Sequence, residues 1–161
     1  MPKSVFYSFH YERDVHRVQL VRNINALEGQ RILNPQNWEE VKRRGGRAIE
    51  EWIHGEMSYK KAVIVLIGRD TATRPWVIYE IEKAWRDKKP LLGIRVNGIS
   101  SFGQVDSEGA NPFERANVGP GIPLFDPTAR DWYGRIDSAQ TYRNLAFNLE
   151  SWSEQGKVRQ W

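Results

Sequence analysis

The feature that most constrains the fold is AVIVLIG at 62–68, a run without a polar side chain. Val and Ile dominate it, and β-branched residues favour strands. Because apolar side chains occur on both faces, such a strand must be covered on both sides, as is typical of the centre of a parallel sheet. The run is much shorter than the ~20 residues of a membrane span. It therefore predicts a buried central strand.

Strands and helices alternate on either side of this run. Further strands are predicted at 5–9 and 91–96, with a weaker one at 30–33. Helices are predicted at 14–24, at 38–53 with a break at Gly45-Gly46, at 75–88 and at 138–153. Apolar residues recur there at helical spacing, and Pro75 stands where proline opens a helix. This alternation predicts an α/β fold with a mainly parallel sheet flanked by helices on both faces.

One region departs from the alternation. Residues 97–137 hold six of the 13 glycines and four of the eight prolines. We expect a long loop insertion outside the sheet core, with at most a short strand at 122–125, in a single domain of residues 1–161. Loops of this length are usually functional or mobile. The alternative is a flap that covers the edge of the last strand through Phe113, Phe125 and Trp132.

Composition excludes several classes of protein. The chain has no Cys, which excludes disulfides and Cys-ligated metals and suits the cytoplasm. The net charge of +4 suits an anionic ligand, but without a dense basic run we expect no nucleic-acid partner. We expect no membrane association, because the N-terminus lacks a signal peptide pattern. Three histidines without metal-ligand spacing predict no metal site.

Candidate chemistry is expected where the parallel strands end, because open α/β sheets bind ligands at their carboxyl edge. His10 lies at such a strand end and is a candidate ligand contact. Glu80 lies early in the helix after the central strand, and Trp76, four residues before it, shares its helix face. This carboxylate could face a sugar cation. The alternative is an exposed Glu80 that pairs with Lys83.

These residues belong to a set of motifs that resembles the TIR-like domain of the Thoeris anti-phage defence system, the ThsB family. The resemblance covers about residues 3–115 and is carried by VFYSFHYERD at 5–14, LVRN at 20–23, NWEE at 37–40, AVIVLIGRDTATRPWVIYEI at 62–81, LLGIRVNGI at 91–99 and NPFE at 111–114. It implies a flavodoxin-like fold. It also implies cleavage of the nicotinamide–ribose bond of NAD by Glu80, with Trp76 as the preceding aromatic residue.

The same resemblance implies that Phe9, His10 and Tyr11 line the nucleotide site. His10-Tyr11 departs from the basic residues that many TIR proteins carry there. NAD is then a substrate and no cofactor is expected. The implied product is a cyclic ADP-ribose isomer that activates a Sir2-like or similar effector, with activity dependent on a homo-oligomer. The alternatives are a non-enzymatic TIR-type sensor or scaffold and a nucleoside-processing transferase on a similar fold.

Overall fold

The computed structural model describes residues 2–161, and its core is a five-stranded sheet with helices on both faces. The elements in chain order are β1 Lys3–Ser8, α1 Tyr11–Arg22, β2 Leu27–Gly29, α2 Pro35–Arg43, α3 Gly46–Met57, β3 Ala62–Ile67, α4 Pro75–Arg86, β4 Leu91–Arg95, β5 Leu124–Phe125, β6 Ala129–Arg130, β7 Ile136–Asp137 and α5 Ser138–Ser153.

The sheet has the order β2-β1-β3-β4-β5, and each neighbouring pair is parallel. β3 lies at its centre, and every residue of this strand is buried. The α/β class, the parallel sheet and the central position of the apolar run are therefore confirmed. The break at Gly45-Gly46 is also confirmed, because α2 ends before Gly45 and α3 begins at Gly46.

Two apolar layers cover the sheet. Successive residues of a strand point to opposite faces, so Val5 and Phe6 of β1 enter different layers. One layer is closed by α1 and α5, through residues such as Val18 and Leu145. The other is closed by α3 and α4, through residues such as Ile81. Both faces of the sheet are thereby covered, and the carboxyl edge of its strands is left for a site.

The strand predicted at 30–33 is wrong, and the observed strand is the shorter β2 at Leu27–Gly29. Gln30 explains where the ladder stops. Its side chain accepts a hydrogen bond from the Tyr7 N–H at 2.8 Å and donates one to the Tyr7 carbonyl at 2.7 Å. A buried amide side chain thus takes the place of the next main-chain pair, and the backbone after Gln30 is released from the sheet.

The expectation that 97–137 stays outside the sheet is wrong for Leu124–Phe125. These residues form β5, which extends the sheet beside Gly93 and Ile94. The short strand expected near 122–125 is therefore present. Phe113 is buried against Gly93, and Phe125 stacks on Trp152 at 4.9 Å, as the flap alternative requires. Trp132 takes no part in this packing, because its side chain is 94% exposed.

The first part of 97–137 is fixed to α1 and β4 by charged side chains. Arg17 donates to the Ile99 carbonyl at 2.8 Å, and Arg13 forms a two-point pair with Asp106 at 2.7 and 2.9 Å. Arg95 donates to the Gly109 carbonyl at 2.6 Å. This segment is therefore an ordered cover beside the carboxyl edge.

None of the helices within residues 2–161 combines the length and apolar character needed to cross a membrane.

Candidate functional site

A cavity of about 540 Å³ opens at the carboxyl ends of β1 and β2. Its size is typical of sites for small organic ligands. Its walls come from the β1–α1 junction, the stretch after β2, the helices α2 and α3, and the beginning of α4. All the predicted site residues lie in its lining, namely Phe9, His10, Tyr11, Trp76 and Glu80. The structure therefore brings together residues that are up to 71 positions apart in the chain.

Glu80 is the buried acid of the cavity, with only 7% of its surface exposed. The Ser8 hydroxyl donates a hydrogen bond of 2.6 Å to Glu80 Oε1. Burial raises the pKa of Glu80 to about 8, while the hydrogen bond from Ser8 acts in the opposite direction. The alternative pairing of Glu80 with Lys83 is wrong, because Lys83 bonds Asp87 at 2.7 Å.

The local sequence explains why Glu80 and Trp76 enter the same cavity. Pro75 occupies the first turn of α4, where its missing N–H has no helical partner to lose. Val77 and Ile81 turn the apolar face of the helix toward the core. Trp76 and Glu80 then share the adjacent face, one turn apart. The half-buried Trp76 ring packs edge-on against Tyr79 at 5.5 Å.

His10 lies in the lining of the cavity and is 7% exposed. Burial, with a smaller contribution from Arg74, lowers the pKa of His10, which favours the neutral imidazole. Its Nε2 lies 3.4 Å from Glu12 Oε2. Its Nδ1 is buried without a hydrogen-bond partner among residues 2–161. The unused nitrogen is itself buried, so it would reach a ligand only if neighbouring side chains moved.

A second aromatic wall combines the predicted Tyr11 with Trp38 and Trp52, which were not predicted as site residues from the sequence. Tyr11 and Trp38 lie 5.3 Å apart with ring planes inclined by 31°, and Trp52 packs on Trp38 at 6.2 Å. The Tyr11 hydroxyl donates to the Leu33 carbonyl, and Trp38 Nε1 donates to Glu12 at 3.3 Å. These bonds hold both rings in place along the cavity.

Ser8, Glu12, Lys42 and Arg74 were also not identified as site residues from the sequence. Ser8 lies in the strand end that the sequence marks, but nothing in the sequence pairs it with Glu80. Glu12 is bound by Lys42 Nζ at 3.0 Å, which leaves Glu80 as the acid of the cavity without a cation partner among residues 2–161. Arg74 is exposed at the beginning of α4. Together with Glu80 and the aromatic residues, these groups give the cavity one buried carboxyl, aromatic surfaces and cations at the rim.

Comparisons with known proteins show the family of the chain. Residues 6–101 match the family model described as "Thoeris protein ThsB, TIR-like domain". The chain is also similar to a protein of Bacillus cereus (strain MSX-D12) named "Putative cyclic ADP-D-ribose synthase ThsB1". The two are 31% identical over 157 residues, which cover 91% of this chain and 78% of the relative. The matched family residues include the predicted site residues Phe9–Tyr11, Trp76 and Glu80.

Proposed function

The chain belongs to the Thoeris ThsB family of TIR-like domains, and from this premise we propose that it cleaves the nicotinamide–ribose bond of NAD and makes a cyclic ADP-ribose-type signal. In this proposal Glu80 is the catalytic residue, and Phe9, His10, Tyr11 and Trp76 bind the substrate. The name of the Bacillus cereus relative supports the product class. The single observation that carries the proposal is the buried Glu80 carboxyl, which is bonded by Ser8 within the cavity.

One carboxylate is sufficient for this reaction. Ordinary glycosidases use two carboxyl groups, one of which protonates the departing oxygen. The nicotinamide nitrogen of NAD is already cationic, so the C1′–N bond breaks with its electron pair passing to the ring, and neutral nicotinamide leaves. The ribose then carries positive charge. An anion in a poorly solvated cleft stabilises that charge strongly, and removing such a group commonly costs ~10²-fold or more in rate.

A nucleophile then attacks the positively charged ribose at C1′. Attack of water at C1′ forms ADP-ribose and releases a proton. Attack by an atom of the substrate's own adenosine part closes a ring and forms the cyclic product, and any proton on that atom passes to water. A cavity walled by Tyr11, Trp38 and Trp76 limits water around the ribose, which favours the second outcome.

The protonation state of Glu80 must change for this chemistry. In the free cavity its pKa of about 8 keeps most of the carboxyl neutral at pH 7. The cationic nicotinamide ring of bound NAD favours the ionised form, because a nearby opposite charge lowers the pKa of an acid. The substrate therefore helps to generate the carboxylate that acts on it, and the Ser8 hydroxyl stabilises the same charge.

A second proposal concerns partners. We infer that the cyclic product activates a separate effector of the Sir2-like type and that the protein acts as a homo-oligomer. The observation that favours protein contacts is the hairpin of β6 and β7, where Trp132 and Tyr133 are 94% and 78% exposed. The same observation supports the alternative function, a sensor or scaffold without enzymatic activity.

The experiment that separates these functions measures free nicotinamide after NAD is added to the protein. It compares wild type with Glu80→Gln, which keeps the size of the side chain and removes its charge, and with Glu50→Gln, an exposed control on α3. Each protein is assayed alone and in a lysate of phage-infected cells, since a resting sensor needs its trigger. Release by wild type and Glu50→Gln, with a ~10²-fold loss in Glu80→Gln, supports the enzyme. Equal release by all three proteins refutes the role of Glu80, and no release in either condition favours the scaffold.

A further inference from the structure

We propose that the aromatic surface formed by Tyr11 and Trp38 binds the adenine ring of the substrate and thereby directs the reaction toward the cyclic product. This inference rests on the proposed function, because it assigns the second half of the same dinucleotide. It concerns a wall of the cavity built from α1 and α2. The cleavage chemistry itself is assigned to α4 and the end of β1.

Both rings line the cavity, and the exposed part of each offers aromatic carbon to a flat base. Tyr11 begins α1 and Trp38 belongs to α2, so two separate elements meet at the ring pair. Their centroids are 5.3 Å apart, and the planes differ by only 31°. Each ring is partly exposed within the cavity lining. Stacking of a base on an aromatic side chain is sequence-tolerant and energetically favourable, and it needs little beyond such a face.

The ring pair is held before any ligand arrives. The hydroxyl of Tyr11 is bonded to the Leu33 carbonyl, and the indole N–H of Trp38 is bonded to Glu12. Trp52 packs edge-on against the indole of Trp38, with ring centroids 6.2 Å apart and planes at 62°. Because the polar atoms of both rings are used within the protein, a ligand meets the exposed carbon atoms of the rings. Preorganised surfaces of this kind lose little conformational entropy on binding.

The charges beside this wall suit the pyrophosphate between the two halves of a dinucleotide. Arg31 and Arg74 are exposed lining residues, and neither forms an ion pair with another side chain within residues 2–161. Lys42 lies 5.7 Å from the centre of the Trp38 ring, but its ammonium is bonded to Glu12 and Glu39. Arg31 and Arg74 are therefore the cations available to the phosphates.

The position of adenine decides which nucleophile reaches the ribose. Cyclisation requires the adenosine part and the C1′ carbon at Glu80 to occupy one cavity at the same time. A base stacked on Tyr11 and Trp38 meets this condition, because that wall and Glu80 line the same cavity of about 540 Å³. Without the stack, adenosine leaves the cavity more often, and water attacks C1′ to give linear ADP-ribose.

The first test measures binding in Glu80→Gln protein, where turnover does not obscure it. Calorimetry compares NAD with nicotinamide mononucleotide, which carries the nicotinamide ribose but no adenine. Trp38→Ala should weaken NAD binding by about 5- to 100-fold, from the usual value of a base–aromatic stack, and leave mononucleotide binding unchanged. Trp38→Phe keeps a ring and should restore most of the NAD affinity. Equal losses for both ligands, or no loss for NAD, overturn the assignment of the adenine site.

The second test measures the products of protein that keeps Glu80. It records free nicotinamide and the ratio of cyclic to linear ADP-ribose together. Trp38→Ala should release nicotinamide but lower this ratio by at least about 5-fold, and Trp38→Phe should lower it less. An unchanged ratio with continued nicotinamide release overturns the inference and leaves the proposed function intact. Binding of neither ligand, together with no nicotinamide release by the wild type, overturns both. Unchanged melting temperatures show that α2 still folds.

Discussion

Replacing Glu80 by Gln should stabilise the folded protein, and the gain should grow as the pH rises. The pKa of Glu80 is raised by burial from 4.5 to about 8. For an acid with a raised pKa, the unfolded chain releases its proton first, so the folded state loses stability as the pH rises from the unfolded pKa toward the folded one. Gln has no proton to lose, and its amide oxygen can still accept the bond from Ser8. The substitution removes this pH-dependent cost.

The magnitude follows from the interval between the two pKa values. Each pH unit between 4.5 and about 8 changes the free energy of unfolding by ~1.36 kcal/mol. Between pH 5 and pH 7 the wild type should therefore lose about 2–3 kcal/mol relative to Glu80→Gln. This is a large fraction of the ~5–15 kcal/mol by which domains are usually stable.

Urea unfolding at pH 5, 6 and 7 measures this difference for wild type, Glu80→Gln and the exposed control Glu50→Gln. We expect the free-energy difference between wild type and Glu80→Gln to widen steadily across the series, while Glu50→Gln follows the wild type. A difference that stays constant from pH 5 to pH 7 refutes the reasoning. It would show that the Glu80 carboxyl is not kept neutral by burial.

Three further substitutions test other contacts. Ser8→Ala removes the donor to Glu80 Oε1, so the rise of kcat/KM with pH should move to higher pH; an unmoved profile contradicts a role for Ser8 in holding the charge. Gln30→Ala leaves the buried N–H and C=O of Tyr7 without hydrogen-bond partners. It should lower the free energy of unfolding in urea by about 2–4 kcal/mol, and a decrease below about 1 kcal/mol would indicate that water replaces the amide. Trp76→Ala should lower kcat/KM at least about 10-fold. A decrease of about 3–5 kcal/mol in the free energy of unfolding would instead show that Trp76 packs in the core.

The fold class could be predicted from local patterns, because the apolar residues that form the pattern are the residues that the fold buries. The apolar run at 62–67 is buried on both faces, and α5 was predicted with the bounds that the structure gives it. β2 was misplaced because its main-chain ladder ends where the Gln30 side chain imitates the next strand pair. A side chain that bonds the backbone of another strand leaves no periodic signal.

Part of the candidate site was predictable for a similar reason. Trp76 and Glu80 are one helical turn apart, so spacing alone places them together. The contact between Tyr11 and Trp38 depends on how α2 packs over the β1–α1 junction, and no local rule fixes that. The covering segment was misjudged in part because its anchors, such as Arg13 with Asp106, join charges 93 positions apart.

The central claim is that the ionised Glu80 carboxylate cleaves the nicotinamide–ribose bond, and the pH dependence of kcat/KM for nicotinamide release tests it most directly. The pH dependence of kcat/KM reports the pKa values of the essential ionisable groups in the free enzyme, where burial raises the pKa of Glu80 to about 8. In wild type, kcat/KM should rise with pH and level off above about pH 8. In Glu80→Gln, the rate should be ~10²-fold lower or more and should lose this rise. A wild-type profile that is flat from pH 5 to pH 9, or a Glu80→Gln variant that keeps both rate and profile, contradicts the account.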